Sequence, residues 1–461
     1  MATLKPFAAL RPRPDLAARI CELPYDVMSS EEARALAADN PLSFLHVSKP
    51  EIDLPPGTDP YAPEVYARGR DNFARLIDTG ALRQERQPAF YLYRQVMGAH
   101  TQVGLVALAS CEDYLRGIIK KHELTRPDKE DDRVRHIESL NAQTGPVFLA
   151  CRPAPALDRI IAQGISEEPD LDFTAADGVR HTAWTIDDPA NILRIEEEFA
   201  RVPALYIADG HHRSAAAARV YLKRNQVDPR STEQKRPDSA AVMGYENSGL
   251  TGSPAPGGEG RREGGSALQA SPTRFATEES GKQNGSRHFL SVIFPHDQLQ
   301  ILPYNRVLQD LNGLSPARLL EKLDAVFVIK RIGSPRPGRK HELGLYLDGR
   351  WHTLFFRPKF AGATDPIEQL DVTLLQKYVL GPIFGIEDPR TSQRVQFVGG
   401  IRGTAELERL VNQAECACAF SMFPTAIEDL MTVADAGAIM PPKSTWFEPK
   451  LRDAMFCHLL T

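Results

Sequence analysis

The chain has 461 residues, of which 42% are hydrophobic and 25% charged, with a formal net charge of −5. This length supplies enough apolar side chains for two or three packed domains. The mild negative charge argues against nucleic-acid binding, and no apolar run is long enough to cross a bilayer. The N-terminal stretch lacks the apolar segment of a secretory signal, and six scattered cysteines do not form a disulfide framework. We therefore expect a cytoplasmic protein with neither a membrane nor a nucleic-acid partner.

In chain order, the first elements are predicted from capping residues and apolar spacing. Serines followed by glutamates predict a capped helix over 29–38, and residues 41–47 are predicted to be extended, with a strand. Apolar residues near helical spacing predict a helix over 65–79. The apolar runs 89–96 and 102–110 are separated by a short polar stretch, which predicts a β-hairpin.

A stretch rich in ionisable side chains follows, KKHELTRPDKEDDR at 120–133. Residues 128–140 fit a helix. Charge runs of this kind are most often a solvated helix face, and that interpretation stays open at this point. Beyond it, short apolar runs predict strands over 146–151 and 181–186, the second at a sheet edge, and a helix over 191–199.

The stretch ALYIADGHHRSAAAARVYLKR at 204–224 has the layout of a strand, a tight turn and a helix. Residues 204–208 predict a buried strand, Asp209 and Gly210 turn the chain, and the alanine-rich residues 214–224 predict a helix. The turn carries three further polar side chains, His211, His212 and Arg213.

This layout favours an anion site. A helix N-terminus has unpaired N–H groups and a partial positive charge, which attract phosphate. Gly210 lets the backbone approach a ligand, and the planar fork of Arg213 suits phosphate oxygens. The alternative is that Asp209 caps the helix while both histidines lie in solvent.

Residues 246–287 are rich in Gly, Ser, Pro and charge, and are predicted to be a disordered insertion. They divide an N-terminal α/β region, 1–245, from a C-terminal α/β region, 288–461, predicted to pack on the first. The apolar segments MGYE and HFLSVIFP, on either side, could be neighbouring strands.

The C-terminal region is predicted to alternate strands and helices. Strands are expected over 289–294, 325–332, 343–347 and 351–356, and helices over 315–323 and 371–380. Near the end, prolines hold the segment 440–450 open, so that Lys443, Ser444 and Lys450 could face a site. An ordinary surface loop is the alternative.

Five motifs together resemble the DUF1015 family: LPYDV, KKHELTRPDKEDDR, YIADGHHR, ILPYNRV and MPPKSTWFEPK. The resemblance covers essentially the whole chain outside the insertion. More distantly, the strand–DGHHR–helix layout resembles the phosphate-binding turn of the ParB/sulfiredoxin superfamily, in which an upstream Glu-x-x-Arg segment also meets nucleotide phosphates. Glu123 to Arg126 has that form. The resemblance implies an α+β fold with mixed sheets, a ParB/sulfiredoxin-like nucleotide-binding core and additional α/β regions.

The superfamily includes CTP-binding partition proteins, sulfiredoxin and free serine kinases. Sulfiredoxins carry Cys where this chain has His211 or His212, and the DNA-binding helices of partition proteins are not apparent. The resemblance therefore implies a kinase that transfers a phosphoryl group from ATP or ADP, with Mg²⁺, to a small hydroxyl amino acid such as L-serine. Glu123 is the candidate base, with Asp209 and His212 as further catalytic residues. Phosphate contacts are expected from Lys121, Arg126, Gly210, His211, His212, Arg213 and Ser214, and substrate contacts from His122, Arg133 and Lys443.

Two other functions stay open. The protein could be a nucleotide-binding regulatory switch, in which no third molecule is phosphorylated. It could also be a metal-dependent hydrolase, with Asp209, His211, His212 and His122 as ligands. The sequence leaves the metal unknown and a homo-oligomer open.

Overall fold

A computed structural model describes residues 1–227 and 285–460. The strands are β1 (Leu4–Lys5), β2 (Leu10–Pro12), β3 (Leu82–Gln84), β4 (Phe90–Met97), β5 (His100–Ser110), β6 (Ile119–Lys120), β7 (Ala142–Gln143), β8 (Val147–Cys151), β9 (Leu171–Thr174), β10 (Arg180–Ile186), β11 (Leu205–Asp209), β12 (His288–Pro295), β13 (Gln300–Leu302), β14 (Tyr304–Leu308), β15 (Phe327–Lys330), β16 (Glu342–Leu347), β17 (Arg350–Phe356), β18 (Val395–Gly399), β19 (Cys418–Ser421), β20 (Trp446–Glu448) and β21 (His458–Leu459). The α-helices are α1 (Ala17–Ile20), α2 (Ser30–Ala37), α3 (Leu45–Ser48), α4 (Pro63–Asp78), α5 (Cys111–Leu115), α6 (Pro127–Leu140), α7 (Pro155–Gly164), α8 (Pro189–Phe199), α9 (His211–Asn225), α10 (Pro316–Asp324), α11 (Pro358–Ala361), α12 (Asp371–Leu375), α13 (Gly403–Asn412) and α14 (Ile427–Asp435).

Two large sheets organise the described residues. The first is mixed, in the order β6-β11-β8-β12-β5-β4-β10-β9, with β1 paired to β5. Its β6–β11 and β8–β12 pairs are parallel. The second has the order β15-β17-β16-β19-β14-β18, and its strands pair in antiparallel fashion. The combination of helices and mixed sheets confirms the predicted α+β class.

Both faces of the first sheet are buried. Successive side chains of a strand point to opposite faces, so alternate side chains enter different cores. In β11, Leu205 and Ile207 pack with the alanines of α9, whereas Tyr206 and Ala208 join a core that includes residues of the second sheet. The small side chains of α9 also let α6 pack closely on another face, where Ala216 and Ile137 belong to one apolar cluster.

The central strand β12 lies beyond the predicted insertion in sequence, yet it pairs with both β5 and β8. Residues 246–284 and the MGYE segment fall outside the described residues. Gly285–Arg287 forms a single 3-10 turn in which Ser286 is buried. Asn225 at the end of α9 donates to Ser286 Oγ at 3.2 Å, so the end of α9 lies beside the 3-10 turn that precedes β12.

Most predicted elements are found, but two predictions are wrong. Residues Leu45–Ser48 form helix α3 instead of a strand. Phe44 and Val47 enter one apolar cluster and Leu45 another, which suits a helical turn. The predicted edge strand, β10, is flanked on both sides, because β9 pairs with it on one side and β4 on the other.

All six cysteines are buried and unbridged. Across 1–227 and 285–460, no helix has the length and apolar character needed to cross a membrane.

Candidate functional site

The turn between β11 and α9 has the predicted layout, but the helix begins earlier, at His211. Gly210 is the N-cap, with φ of +96°, a conformation that favours glycine. No side chain caps the first turn of α9. Asp209 is therefore not the cap; its Oδ1 accepts instead from the backbone N–H of Gly210 at 2.7 Å. The first-turn N–H groups lie at the positive end of the helix dipole.

Arg213 folds back over this turn. A Cβ on Gly210 would lie 3.1 Å from Arg213 Nε and 3.2 Å from its Cζ. The guanidinium thus fills the space that was predicted to admit a ligand at Gly210. Arg213 also donates to the carbonyl of Pro146 and borders a small cavity of about 40 Å³.

Asp209 is held by cations from both sides. Lys450 Nζ lies 3.0 Å from its Oδ2, and Arg213 Nη2 lies 3.9 Å from its Oδ1. Burial raises the pKa of Asp209, but the charges of Lys450 and Arg213 outweigh it and hold that pKa well below the usual range. The carboxylate is ionised at neutral pH and already compensated.

A second segment reaches the turn because β6 runs parallel to β11. The C-terminal ends of parallel neighbours adjoin, so the residues after Lys120 and those after Asp209 meet at one sheet edge. Glu123 Oε2 lies 4.0 Å from His211 Nδ1, and about 40% of the Glu123 side chain remains exposed. Partial burial raises the pKa of Glu123, and the charge of Lys443 opposes this only in part.

The rings of His122 and His211 pack edge to face with centroids 4.4 Å apart. Both are buried. Burial lowers the pKa of His122 to about 4 and lowers that of His211 well below its usual value, so both are neutral. Among the described residues, neither His122 Nδ1 nor His211 Nε2 has a hydrogen-bond partner.

His212 faces the Glu-x-x-Arg segment. The backbone N–H of Arg126 donates to His212 Nε2 at 3.1 Å, so this nitrogen is unprotonated. Burial lowers the pKa of His212, which agrees with a neutral ring.

A cleft of about 880 Å³ opens beside these segments. Of the residues predicted from sequence, it is bordered by Glu123, Arg126, Arg133, His212 and Lys443. Arg133 donates from Nε and Nη2 to Asp132 Oδ2, at 3.0 and 2.7 Å, and lies over the ring of Tyr25. Its fork is therefore occupied by an internal carboxylate.

Several other predicted residues are not part of the cleft lining in the described ranges: Lys121, His122, Asp209, Gly210, His211, Arg213 and Ser214. Ser214 is fully buried and donates within its own helix to Gly210 and His211 carbonyls. Lys121 is exposed and lies over the ring of Tyr114 at 4.1 Å.

The sequence reasoning missed Asp26, Lys49 and Glu51, which border the cleft. Asp26 lies in the LPYDV motif, and that motif could have identified it from the sequence. Lys450, which the sequence suggested could face a site, is the partner of Asp209, and Ser444 is buried against the carbonyl of Pro441.

A model of a family described as "Protein of unknown function (DUF1015)" matches residues 4–249 and 265–373. The chain belongs to the DUF1015 family. The Glu123 segment and the turn after β11 both lie within the matched region of this DUF1015 protein. No curated protein matches it.

Solved structures similar to this DUF1015 chain align at low scores. A free serine kinase in complex with AMP is 12% identical, with 75% of this chain and 86% of that chain covered and a TM-score of 0.32. A conserved hypothetical protein from Pyrococcus furiosus is 11% identical, with 76% and 93% covered and a TM-score of 0.31. C-terminally truncated SbnI from Staphylococcus aureus is 9% identical, with 76% and 85% covered and a TM-score of 0.35. Similarity of this extent assigns no activity to this chain.

Proposed function

We propose that this protein is a small-molecule kinase that transfers a phosphoryl group from ATP or ADP to the hydroxyl of a free amino acid, with L-serine as the first candidate and O-phospho-L-serine as the product. One observation carries the proposal: the half-buried Glu123 carboxylate lies 4.0 Å from His211 at the N-terminus of α9, on the wall of a cleft of about 880 Å³. A cleft of this size accommodates a nucleotide with a small acceptor.

The charges along the cleft fit phosphoryl transfer, which depends mainly on positioning and charge neutralisation. Arg126 and Lys443 border it, and the uncapped first turn of α9 lies beside Glu123. The acceptor oxygen forms a bond to the terminal phosphorus, the bond from phosphorus to the leaving nucleotide oxygen breaks, and the hydroxyl proton passes to Glu123. A raised pKa makes this carboxylate a better base.

Mg²⁺ takes hard oxygen ligands. The carboxylate of Asp26 borders the cleft and suits that requirement, whereas Glu123 is assigned to the hydroxyl proton and Asp209 is already compensated by Lys450. When bound, Mg²⁺ neutralises phosphate charge.

The test uses purified full-length protein with L-serine, Mg²⁺ and either ATP or ADP, with the product followed by ³¹P NMR. Glu123→Gln should lower turnover by at least about 100-fold, as expected for loss of a general base, while nucleotide binding persists. Glu197→Gln, an exposed change on α8, is the matched control and should retain full turnover. Turnover of Glu123→Gln equal to that of the wild type would show that Glu123 is not the general base. Nucleotide binding without any phosphorylated hydroxyl compound would indicate the regulatory switch instead.

A second candidate is a metal-dependent hydrolase. One donor atom each from His122, Glu123 and His211 lies within 4.8 Å of the others, and both histidines have an unpartnered nitrogen among the described residues. This set replaces the one expected from sequence, since Asp209 binds Lys450 and His212 accepts from Arg126. The nearby positive charge of Lys443 disfavours a metal cation at Glu123 and so favours the kinase. Stoichiometric zinc or manganese in the purified protein, lost in His122→Gln, would favour the hydrolase.

A further inference from the structure

A buried ion pair lies in the wall of the same cleft. Lys49 Nζ and Glu51 Oε1 are 3.2 Å apart, and only 12% and 10% of their side-chain surfaces are exposed. Both residues nevertheless border the cleft of about 880 Å³. Withdrawing two charges from water costs free energy that their mutual attraction often fails to recover. The position of this pair is better explained by a role in ligand binding than by a contribution to the stability of the fold.

Hydrogen-bonding capacity remains open around this pair. Glu51 Oε1 accepts from Ser30 Oγ at 2.7 Å as well as facing Lys49, whereas no donor among the described residues reaches Oε2. The Lys49 ammonium has three N–H donors and faces Glu51 as an ion pair. The neighbouring Ser48 also borders the cleft, and its buried hydroxyl has no partner in the described part of the chain. The cluster thus offers one open acceptor and several open donors.

The segment that carries these side chains is held rigidly. His136 Nε2 lies 3.0 Å from the Val47 carbonyl, and Asn72 donates to the His46 carbonyl at 2.8 Å. A Cβ on Gly69 would lie 2.8 Å from Pro50 Cγ, so helix α4 packs directly against the segment. Rigid support of this kind lowers the entropy cost of binding.

We propose that Ser48, Lys49 and Glu51 form the acceptor subsite, and that they select a ligand carrying both an ammonium and a carboxylate group, as a free α-amino acid does. This inference rests on the proposed kinase function. The ligand ammonium donates to Glu51 Oε2, and its carboxylate accepts from Lys49 Nζ and Ser48 Oγ.

A ligand that lacks either charge leaves one member of the pair uncompensated in a site withdrawn from water, which is a strong basis for discrimination. Arg133, the carboxylate anchor predicted from sequence, already donates twice to Asp132. Lys49 therefore has more capacity for a ligand carboxylate.

The test measures three acceptors with the full chain, by calorimetry with ADP in the absence of Mg²⁺ and by KM for phosphoryl transfer in its presence. L-serine carries both charges, ethanolamine lacks the carboxylate, and glycerate lacks the ammonium. Lys49→Met should lower the preference for serine over ethanolamine by at least about tenfold, and Glu51→Gln should do the same for serine over glycerate. Both losses should appear in the KM and in the calorimetric affinity for the acceptor.

Two further variants separate recognition from a structural role. Lys49→Glu combined with Glu51→Lys preserves an ion pair but reverses its direction, so we expect a folded protein that loses serine preference. Ser48→Ala keeps the pair and should weaken serine binding several-fold. Glu196→Gln, which removes an exposed ion pair with Lys5, is the matched control and should leave all acceptor preferences unchanged.

The outcomes distinguish this inference from the proposed function. Phosphoserine formation with unchanged acceptor preferences in the reversed-pair and Ser48→Ala variants would overturn the subsite and leave the kinase standing. Charge-dependent serine binding without phosphoryl transfer to any hydroxyl compound would support the subsite and overturn the kinase. Wild-type protein that binds none of the three acceptors would overturn the subsite as well.

Discussion

The Nζ atom of Lys450 lies 3.0 Å from Oδ2 of Asp209, although the two residues are 241 positions apart in the sequence. The C-terminal segment thereby supplies the counter-charge for the turn that opens α9. Since both side chains are mostly buried, with 10% and 27% exposed, the pair holds the C-terminal segment against β11.

Removing one partner of this pair should destabilise the protein strongly. Lys450→Met leaves the Asp209 carboxylate in a buried position with one cation fewer, which should lower the free energy of unfolding by about 3 kcal/mol. Adding Asp209→Asn should recover part of that loss, because the uncompensated charge is gone. Urea unfolding of the wild type, both single variants and the double variant measures the coupling. Additive losses would show that the two side chains act independently.

Gly210 should tolerate alanine poorly, for two separate reasons. Its φ of +96° strains any L side chain, and a Cβ would press on the Arg213 guanidinium at 3.1 Å. Gly117 is a matched control because its φ is +74° and a Cβ there would meet nothing within 4 Å. We expect Gly117→Ala to cost about 1 kcal/mol, from backbone strain alone, and Gly210→Ala to cost about 2–3 kcal/mol. Equal losses in thermal unfolding would contradict the close contact.

Two arginines predicted to bind phosphate should behave differently. Arg126 is exposed and borders the cleft, with Asp128 as its surface partner. Arg126→Ala should weaken binding of a fluorescent ADP analogue about tenfold, the loss expected for one charge-assisted contact, with little change in stability.

Arg213→Ala should mainly lower the free energy of unfolding, by about 3 kcal/mol, because it leaves the Pro146 carbonyl without this donor and Asp209 with one cation fewer. A stable Arg213→Ala protein that has lost nucleotide binding would support the direct phosphate contact predicted from sequence.

Buried histidines should make the fold sensitive to acid. Burial lowers the pKa of His458 to about 4, whereas an unfolded histidine titrates near 6.5. Between these values the unfolded chain binds more protons, so stability is lost as the pH falls from about 6.5 toward about 4. His458→Gln should reduce the slope of the free energy of unfolding against pH by up to about 1.4 kcal/mol per pH unit.

Asp453 should act with the opposite sign. Burial raises its pKa to about 7, so the folded state holds a proton that the unfolded state has released, and stability falls as the pH rises from about 4 to about 7. Asp453→Asn mimics the protonated form. It should therefore increase the slope of the free energy of unfolding against pH, whereas His458→Gln should decrease it. Urea unfolding between pH 4 and pH 8 compares the two variants, and slopes that change in the same direction would rule out this assignment.

Local signals predicted the local structure well. The capping box at Ser29 and Glu32, the β4–β5 hairpin and the strand–turn–helix around Gly210 all follow from short patterns, and each is present. Segment 41–47 was misjudged because a short apolar run fits a strand as well as a helical turn.

Tertiary relationships were harder to predict. The approach of Glu123 to His211 depends on the parallel pairing of β6 with β11, which joins segments far apart in sequence. Lys49 and Glu51 were overlooked because charged side chains near a helix are usually solvated. Lys450 was considered, but no spacing rule could identify Asp209 as its partner.

The distance in sequence between Asp209 and Lys450 has a consequence for synthesis of the protein. At about 5–20 residues per second, the ribosome needs on the order of 10 to 50 s to add the intervening chain. During that time the carboxylate depends on hydration, because its ammonium partner has not been made. A nascent chain that already contains every glycine and histidine of the turn also still lacks Met440, Pro442 and Lys443, which border the cleft, so the cleft is completed only after those residues are made.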